Sequence, residues 1–185
     1  MNTPNKITVF RMFVAPLFLV VYFLNIKHRM LIAALMFAIG AVTDAIDGNL
    51  ARKNNMVTNF GKLLDPIADK MLVTAGLLAF MQDGLCNIWI VLIILTREFA
   101  VTSVRLIASA QGVVIPANIG GKIKTVMQMV SFIVIMCLGE LKYAFGINIP
   151  LAAISNILLA LTAAAAVISG LKYLLDSRSV IDFKK

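Results

Sequence analysis

The chain is expected to be an all-α integral membrane protein of six transmembrane helices, and three observations predict this. Hydrophobic residues fill 61% of the 185 positions and the mean hydropathy is +0.94, above the roughly 45–50% apolar share of soluble domains. The apolar residues fall in six stretches, each near the ~20 residues that cross a bilayer core of roughly 30 Å. The 17 Lys and Arg residues are spread unevenly over the intervening segments, as the positive-inside rule requires of a multi-span protein. No tandem repeat, low-complexity run or separate soluble domain is visible, so residues 1–185 read as one membrane domain.

The first stretch, 8–25, follows Lys6 and could be mistaken for a secretory signal. No small-residue cleavage site follows it; the chain continues Asn25-Ile26-Lys27-His28-Arg29, so it reads as a retained first helix. The second stretch, 30–53, ends in the polar segment 53–59, and the third, 60–82, runs into the turn Gln82-Asp83-Gly84. The fourth, 87–109, is closed by the Gly- and Pro-containing segment 111–121. The fifth, 120–140, is parted from the sixth, 149–174, by Gly146-Ile147-Asn148-Ile149-Pro150. Each break carries the residues that interrupt helices. The Ala-rich run at 160–166 predicts a close helix-packing face, because small residues let membrane helices approach.

Orientation follows from the cations. With the N-terminus inside, the cytoplasmic side holds twelve: Lys6, Arg11, Arg52, Lys53, Lys62, Arg105, Lys122, Lys124, Lys172, Arg178, Lys184 and Lys185. The outer side holds three, Lys27, Arg29 and Lys142, while Lys70 and Arg97 lie within spans. Both termini are therefore expected in the cytoplasm. The net charge of +8 reads as basic cytoplasmic loops facing anionic lipid head groups. A nucleic-acid partner would want a soluble basic face with interleaved aromatics, and none is present. Cys86 and Cys137 have no ligand spacing, which excludes a disulfide scaffold or a zinc site. His28 falls in an outer loop and reads as solvated, and Trp89 and Tyr143 read as members of the outer interface belt.

Four acids break the apolar pattern. They stand in the block Asp44-x-x-Asp47-Gly48-x-x-Ala51-Arg52, then eight residues, then Gly61-x-x-x-Asp65-x-x-x-Asp69. Each carboxylate costs roughly 2.5–3.5 kcal/mol in a bilayer, so four left unpaired would cost roughly 10 kcal/mol. Clustered carboxylates are naturally neutralised by a divalent cation. On helices Asp44, Asp47, Gly48 and Ala51 share one face, and Gly61, Asp65 and Asp69 share another. Two facing helices joined by a short turn would aim all four acids into one cavity.

Three readings of the acids compete. A structural cluster would pair them with Arg52, Lys62 and Lys70, yet four acids exceed what holding two helices together needs. An ion-coupled transporter would spread polar groups across the bilayer, whereas these acids sit at one end. A two-metal site for phosphoryl chemistry places two divalent ions roughly 3.5–4 Å apart to clamp a diphosphate. Axial separations of about 4.5 Å for Asp44–Asp47 and about 6 Å for Asp65–Asp69 allow shared metals.

The complete block resembles the signature of the CDP-alcohol phosphatidyltransferases, with all eight fixed positions filled. Asn2-Thr3-Pro4-Asn5-x-x-Thr8-x-x-Arg11, Thr96-Arg97-Glu98 with Arg105, and Gly121-Lys122-x-Lys124-Thr125-x-x-Gln128 resemble the phosphatidylglycerophosphate synthase branch of that family. The resemblance implies a six-helix, multi-pass enzyme of the cell membrane, usually a homodimer, with its active site facing the cytoplasm. It implies the reaction of CDP-diacylglycerol with glycerol 3-phosphate to give phosphatidylglycerophosphate and CMP, with Mg2+ or Mn2+, two ions, as cofactor. Asp44, Asp47 and Asp65 become metal ligands, and Asp69 a ligand and the general base. Gly48, Ala51, Arg52 and Gly61 become nucleotide-binding positions. Because the acceptor carries a phosphate, Arg105, Lys122 and Lys124 are expected to bind it. Other acceptors within the family, such as serine or inositol phosphate, compete with this reading. Outside it stand an intramembrane prenyltransferase, which would have more helices and more widely separated acid motifs, and a transporter, which would release no CMP.

Overall fold

The computed structural model describes residues 3–53, 59–113 and 119–177, with the side chains of residues 3–7, 44–53, 59–63, 65, 69 and 110 outside that description. These residues form six α-helices: α1 Thr3–Phe23, α2 Arg29–Lys53, α3 Asn59–Gln82, α4 Ile88–Ala110, α5 Ile119–Phe145 and α6 Leu151–Ser177. The expected element order therefore holds. The boundaries differ most at the start of α1 and the end of α5.

Helix α1 starts at Thr3 rather than residue 8. Pro4 falls in its first turn, where a missing N–H costs nothing. Helix α5 continues past the expected end at Glu140 to Phe145. The carboxylate is satisfied across the bundle: Glu140 pairs with His28 Nδ1 and accepts from Leu31 N at 3.3 Å. A residue of α5 thus caps the first turn of α2, one of the helix ends that needs an external acceptor. His28 is therefore a paired residue rather than a merely solvated one, and it also stands edge-on to Tyr143 at 6.3 Å.

The turn at Gln82-Asp83-Gly84 forms as its sequence requires. Gly84 has φ +71°, its N–H donates to Met81 O at 3.1 Å, and Leu85 N donates to Phe80 O at 2.7 Å. This pair of bonds is the Schellman closure, which favours glycine at the left-handed position. Asn87 then caps α4 by accepting from Trp89 N. The start of α6 is fastened to the same turn, with Asn87 N donating to Asn156 Oδ1 at 2.9 Å and Ser155 Oγ donating to Leu85 O at 2.6 Å.

Packing closes the six helices into a ring in the order α1, α2, α5, α6, α4, α3. Helix α1 lies against both α2 and α3, and among the described residues those two touch each other only lightly. The two acid-bearing helices thus share α1 as a common support instead of packing tightly face to face. The predicted small-residue face of α6 is internal: Thr162, Ala163 and Ala166 are buried, and α6 packs on α5 and α4.

The interior has two halves. Away from the termini, five fully buried aromatic rings form a closed circuit, Phe18–Phe37–Phe132–Phe80–Tyr22. Neighbouring centroids in it are 5.0 to 6.1 Å apart, mostly in the tilted or edge-on geometry that aromatic pairs prefer. Toward the end of the bundle that carries the termini, the buried residues turn polar: Thr8, Arg11, Lys124 and Gln128. The outer surface carries exposed Phe, Leu, Ile and Val on every helix, a continuity of apolar surface that water-facing proteins rarely show. Helices α5 and α6 are each long and apolar enough to cross a membrane.

Candidate active site

The acids occupy matching depths on two helices. Asp44 and Asp47 belong to the last turns of α2, which ends at Lys53; Asp65 and Asp69 belong to the first turns of α3, which begins at Asn59. At 1.5 Å per residue, Asp47 and Asp44 lie about 9 and 14 Å from the end of α2, and Asp65 and Asp69 about 9 and 15 Å from the start of α3. Gly48, Ala51 and Arg52 follow on α2, and Gly61 precedes on α3. The side chains of these eight residues lie outside the described residues, so their mutual geometry rests on helix register. An all-carboxylate donor set suits a hard divalent ion such as Mg2+ or Mn2+. Among the described residues no other acid, His or Cys cluster offers a metal site.

Beside this region the described side chains form a buried ionic cluster that ties four helices together. Glu98 of α4 lies at its centre. Its Oε2 accepts from Lys70 Nζ at 3.0 Å, and its Oε1 accepts from Arg97 Nη1 at 3.1 Å and from Lys124 Nζ. Lys124 Nζ also donates to Gln128 Oε1 one turn further along α5. Arg97 reaches α6, where Nε donates to Ala166 O at 3.1 Å and Nη2 to Ser169 Oγ at 3.1 Å. Gly170 makes room for it, since a Cβ there would stand 2.9 Å from Arg97 Cγ. The sequence signal for this cluster was the charge within apolar stretches: an intramembrane cation must find a partner. Arg97–Glu98 was foreseeable as a pair, but the additional roles of Lys70 and Lys124 were not, because they depend on which helices adjoin.

The three expected acceptor-binding cations separate. Lys124 is 2% exposed and belongs to the cluster. Arg105 is exposed, with its guanidinium 5.8 Å over the ring of Tyr173, in the range of a cation–π contact. Lys122 is exposed; two residues from Lys124, it points to a different side of the helix. Two buried groups have polar atoms whose surroundings the sequence did not reveal. Among the described residues the Nε2 of Gln128 and the hydroxyl of Tyr173 find no hydrogen-bond partner, although both residues are at least 96% buried.

A largely apolar groove of about 500 Å3 opens between α1, α3 and α4. Pro16 and Phe99 form part of its wall, and Pro66 and Lys70 bring it beside the acid-bearing stretch of α3. Pro66 is accommodated inside the helix.

Comparison with known proteins identifies the family. Residues 1–169 match the family model described as CDP-alcohol phosphatidyltransferase. The chain belongs to the CDP-alcohol phosphatidyltransferase family. It is 43% identical over 142 residues to the CDP-diacylglycerol–glycerol-3-phosphate 3-phosphatidyltransferase of Bacillus subtilis, covering 70% of this chain and 74% of that protein. It is 35% identical over 173 residues to the protein of the same name from Rickettsia bellii, covering 93% of each. A probable phosphatidylglycerophosphate synthase of Mycobacterium tuberculosis is 41% identical over 133 residues, covering 70% of this chain and 63% of that protein. This CDP-alcohol phosphatidyltransferase is accordingly a membrane transferase of phospholipid biosynthesis, in a family that uses divalent metal ions and takes CDP-diacylglycerol as donor.

Proposed function

We propose that this enzyme transfers the phosphatidyl group of CDP-diacylglycerol to glycerol 3-phosphate, giving phosphatidylglycerophosphate and CMP. The observation that carries the reading is the buried cluster around Glu98: Arg97 and Lys124 bring two positive charges to one carboxylate. A phosphorylated acceptor, a net anion, complements that excess better than serine, a zwitterion with no net charge. The names of the relatives that match 93% and 74% of their own length point the same way.

In this reading all six helices cross the cell membrane, both termini and the site face the cytoplasm, and the enzyme works as a homodimer. Asp44, Asp47 and Asp65 hold two divalent ions, which when bound offset charge on the diphosphate and on departing CMP. Asp69 adds a ligand and takes the proton from the acceptor hydroxyl. The freed oxygen forms its bond to the phosphorus that carries diacylglycerol, while the bond from that phosphorus to the CMP oxygen breaks. Gly48, Ala51 and Gly61 leave room for the nucleotide, and Arg52 pairs with its phosphates. Lys124 holds the acceptor phosphate within the bundle, with Arg105 and Lys122 as outer cations that draw it in. The groove beside Pro66 and Lys70 accommodates an acyl chain of the donor.

The test is the purified protein with CDP-diacylglycerol, a divalent metal and a panel of alcohols, with CMP release and the mass of the product lipid followed together. Phosphatidylglycerophosphate as the main product supports the reading. A product formed only from serine, or from inositol phosphate, reassigns the acceptor within the same family.

A further inference from the structure

We infer that Gln128 is a specificity-determining residue, its side-chain amide donating a hydrogen bond from Nε2 to a phosphate oxygen of the acceptor. The inference rests on the proposed acceptor and adds a neutral contact to the cations assigned there.

Three observations lead to it. Gln128 is 2% exposed, and a buried amide N–H with no partner is costly enough that native interiors rarely leave one. The orientation of the amide is fixed by its neighbour. A lysine ammonium has donors and no acceptor, so Lys124 Nζ must face Oε1, and Nε2 necessarily points the other way, where it has no partner among the described residues. The surroundings select the kind of group that completes it. The Lys124 that holds the amide belongs to a cluster in which Arg97 and Lys124 meet the single carboxylate of Glu98, so an anionic oxygen is favoured over a hydroxyl or a second cation. Depth agrees as well. Gln128 lies nine residues into α5, which starts at Ile119, or about 14 Å along the helix, a distance from the helix end similar to those of Asp44 and Asp69 on α2 and α3. An oxygen bound there belongs to a small molecule inside the bundle.

The arrangement gives the residue a role different from that of the cations. Lys124 supplies charge and attracts any phosphate. Gln128 supplies a directed donor, pre-set by Lys124, which fixes where the phosphate stops. An acceptor without the phosphate leaves the amide Nε2 without a partner, which is how a polar site rejects an analogue.

The experiment compares wild-type enzyme, Gln128→Met and Gln128→Glu in detergent, with glycerol 3-phosphate and CDP-diacylglycerol varied in turn. Monodispersity and melting temperature establish that each variant is folded. Gln128→Met keeps the length of the side chain and removes the donor, so the acceptor KM should rise roughly 10- to 100-fold, the effect of one lost hydrogen bond to a charged group. The CDP-diacylglycerol KM should stay within about threefold of wild type. Gln128→Glu keeps the Lys124 contact but turns a carboxylate oxygen toward the phosphate, so its acceptor KM should exceed that of Gln128→Met. A folded Gln128→Met with an unchanged acceptor KM overturns this inference alone, as does Gln128→Glu outperforming it. A wild-type enzyme that transfers to no phosphorylated alcohol overturns the acceptor assignment, and the inference with it.

Discussion

Lys70 Nζ on α3 lies 3.0 Å from Glu98 Oε2 on α4, one residue along the chain from Asp69. The contact fixes the acid-bearing helix against the helix whose Arg97 grips α6, so the proposed metal half and acceptor half of the site share one carboxylate. Helices α3 and α4 pack together less extensively than most neighbours in the ring, which gives this ion pair more weight in setting their separation.

Removing that carboxylate should therefore damage both stability and activity. Glu98→Gln leaves Lys70, Arg97 and Lys124 facing a neutral amide. Breaking a buried ion pair by losing one partner costs about 3–5 kcal/mol. A clear fall in the melting temperature of the detergent-purified protein is expected, with CMP release reduced at least about tenfold. Unchanged melting and turnover would show that the cluster does not couple the two halves.

The acids should be individually indispensable. Asp44→Asn, Asp47→Asn and Asp65→Asn each keep the shape of the side chain and lose the charge that holds a cation. Each should abolish detectable transfer while the protein still inserts in the membrane, and a chelator should do the same to wild type. Near-normal turnover in any two of the variants would contradict the two-metal reading. Asp69→Asn should inactivate but retain metal and donor binding; a collapse of metal affinity would make it chiefly a ligand.

The aromatic circuit should matter for folding and not for recognition. Phe132 is fully buried and touches the rings of both Phe37 and Phe80. Phe132→Ala should cost about 3–5 kcal/mol through the cavity it leaves, seen as a lowered melting temperature. The acceptor KM should remain near wild type. A selective rise in that KM would place Phe132 in the site.

Most of the fold was legible in the sequence because lipid imposes a simple rule: apolar stretches of spanning length between polar breaks. The Gly84 turn was likewise written in its residues. The end of α5 was not, since Glu140 is satisfied inside the bundle by His28 and Leu31, more than 100 positions away. The candidate site divides similarly. The four acids announce themselves by their spacing, and Arg97 by its depth. The contact of Lys70 with Glu98 follows only from the ring order, which no local pattern encodes, and Gln128, though part of a sequence motif, shows its burial only in the fold. Lys122 and Lys124 look equivalent in the sequence and differ because helical rotation buries one and exposes the other.

Topology can be checked by cysteine labelling of intact cells. Cys86 is buried, and burial pushes its thiol up to about 11, so it should react slowly even before replacement. After Cys86 and Cys137 are replaced, Asn55→Cys should be labelled by an impermeant reagent only once the cells are opened. Labelling from outside would place the acid-bearing ends of α2 and α3 on the wrong side of the membrane for CDP-lipid chemistry.

The central claim, a metal-dependent phosphatidyl transfer to a phosphorylated acceptor, is tested most directly by CMP release with glycerol 3-phosphate and with glycerol side by side. Wild-type enzyme with CDP-diacylglycerol and Mg2+ should release CMP with glycerol 3-phosphate and scarcely with glycerol. Lys124→Met should lower kcat/KM for glycerol 3-phosphate roughly 10- to 100-fold, the effect of one charge-assisted hydrogen bond, and narrow the gap between the two alcohols. Equal rates with glycerol and glycerol 3-phosphate, or no CMP release with either, would contradict it.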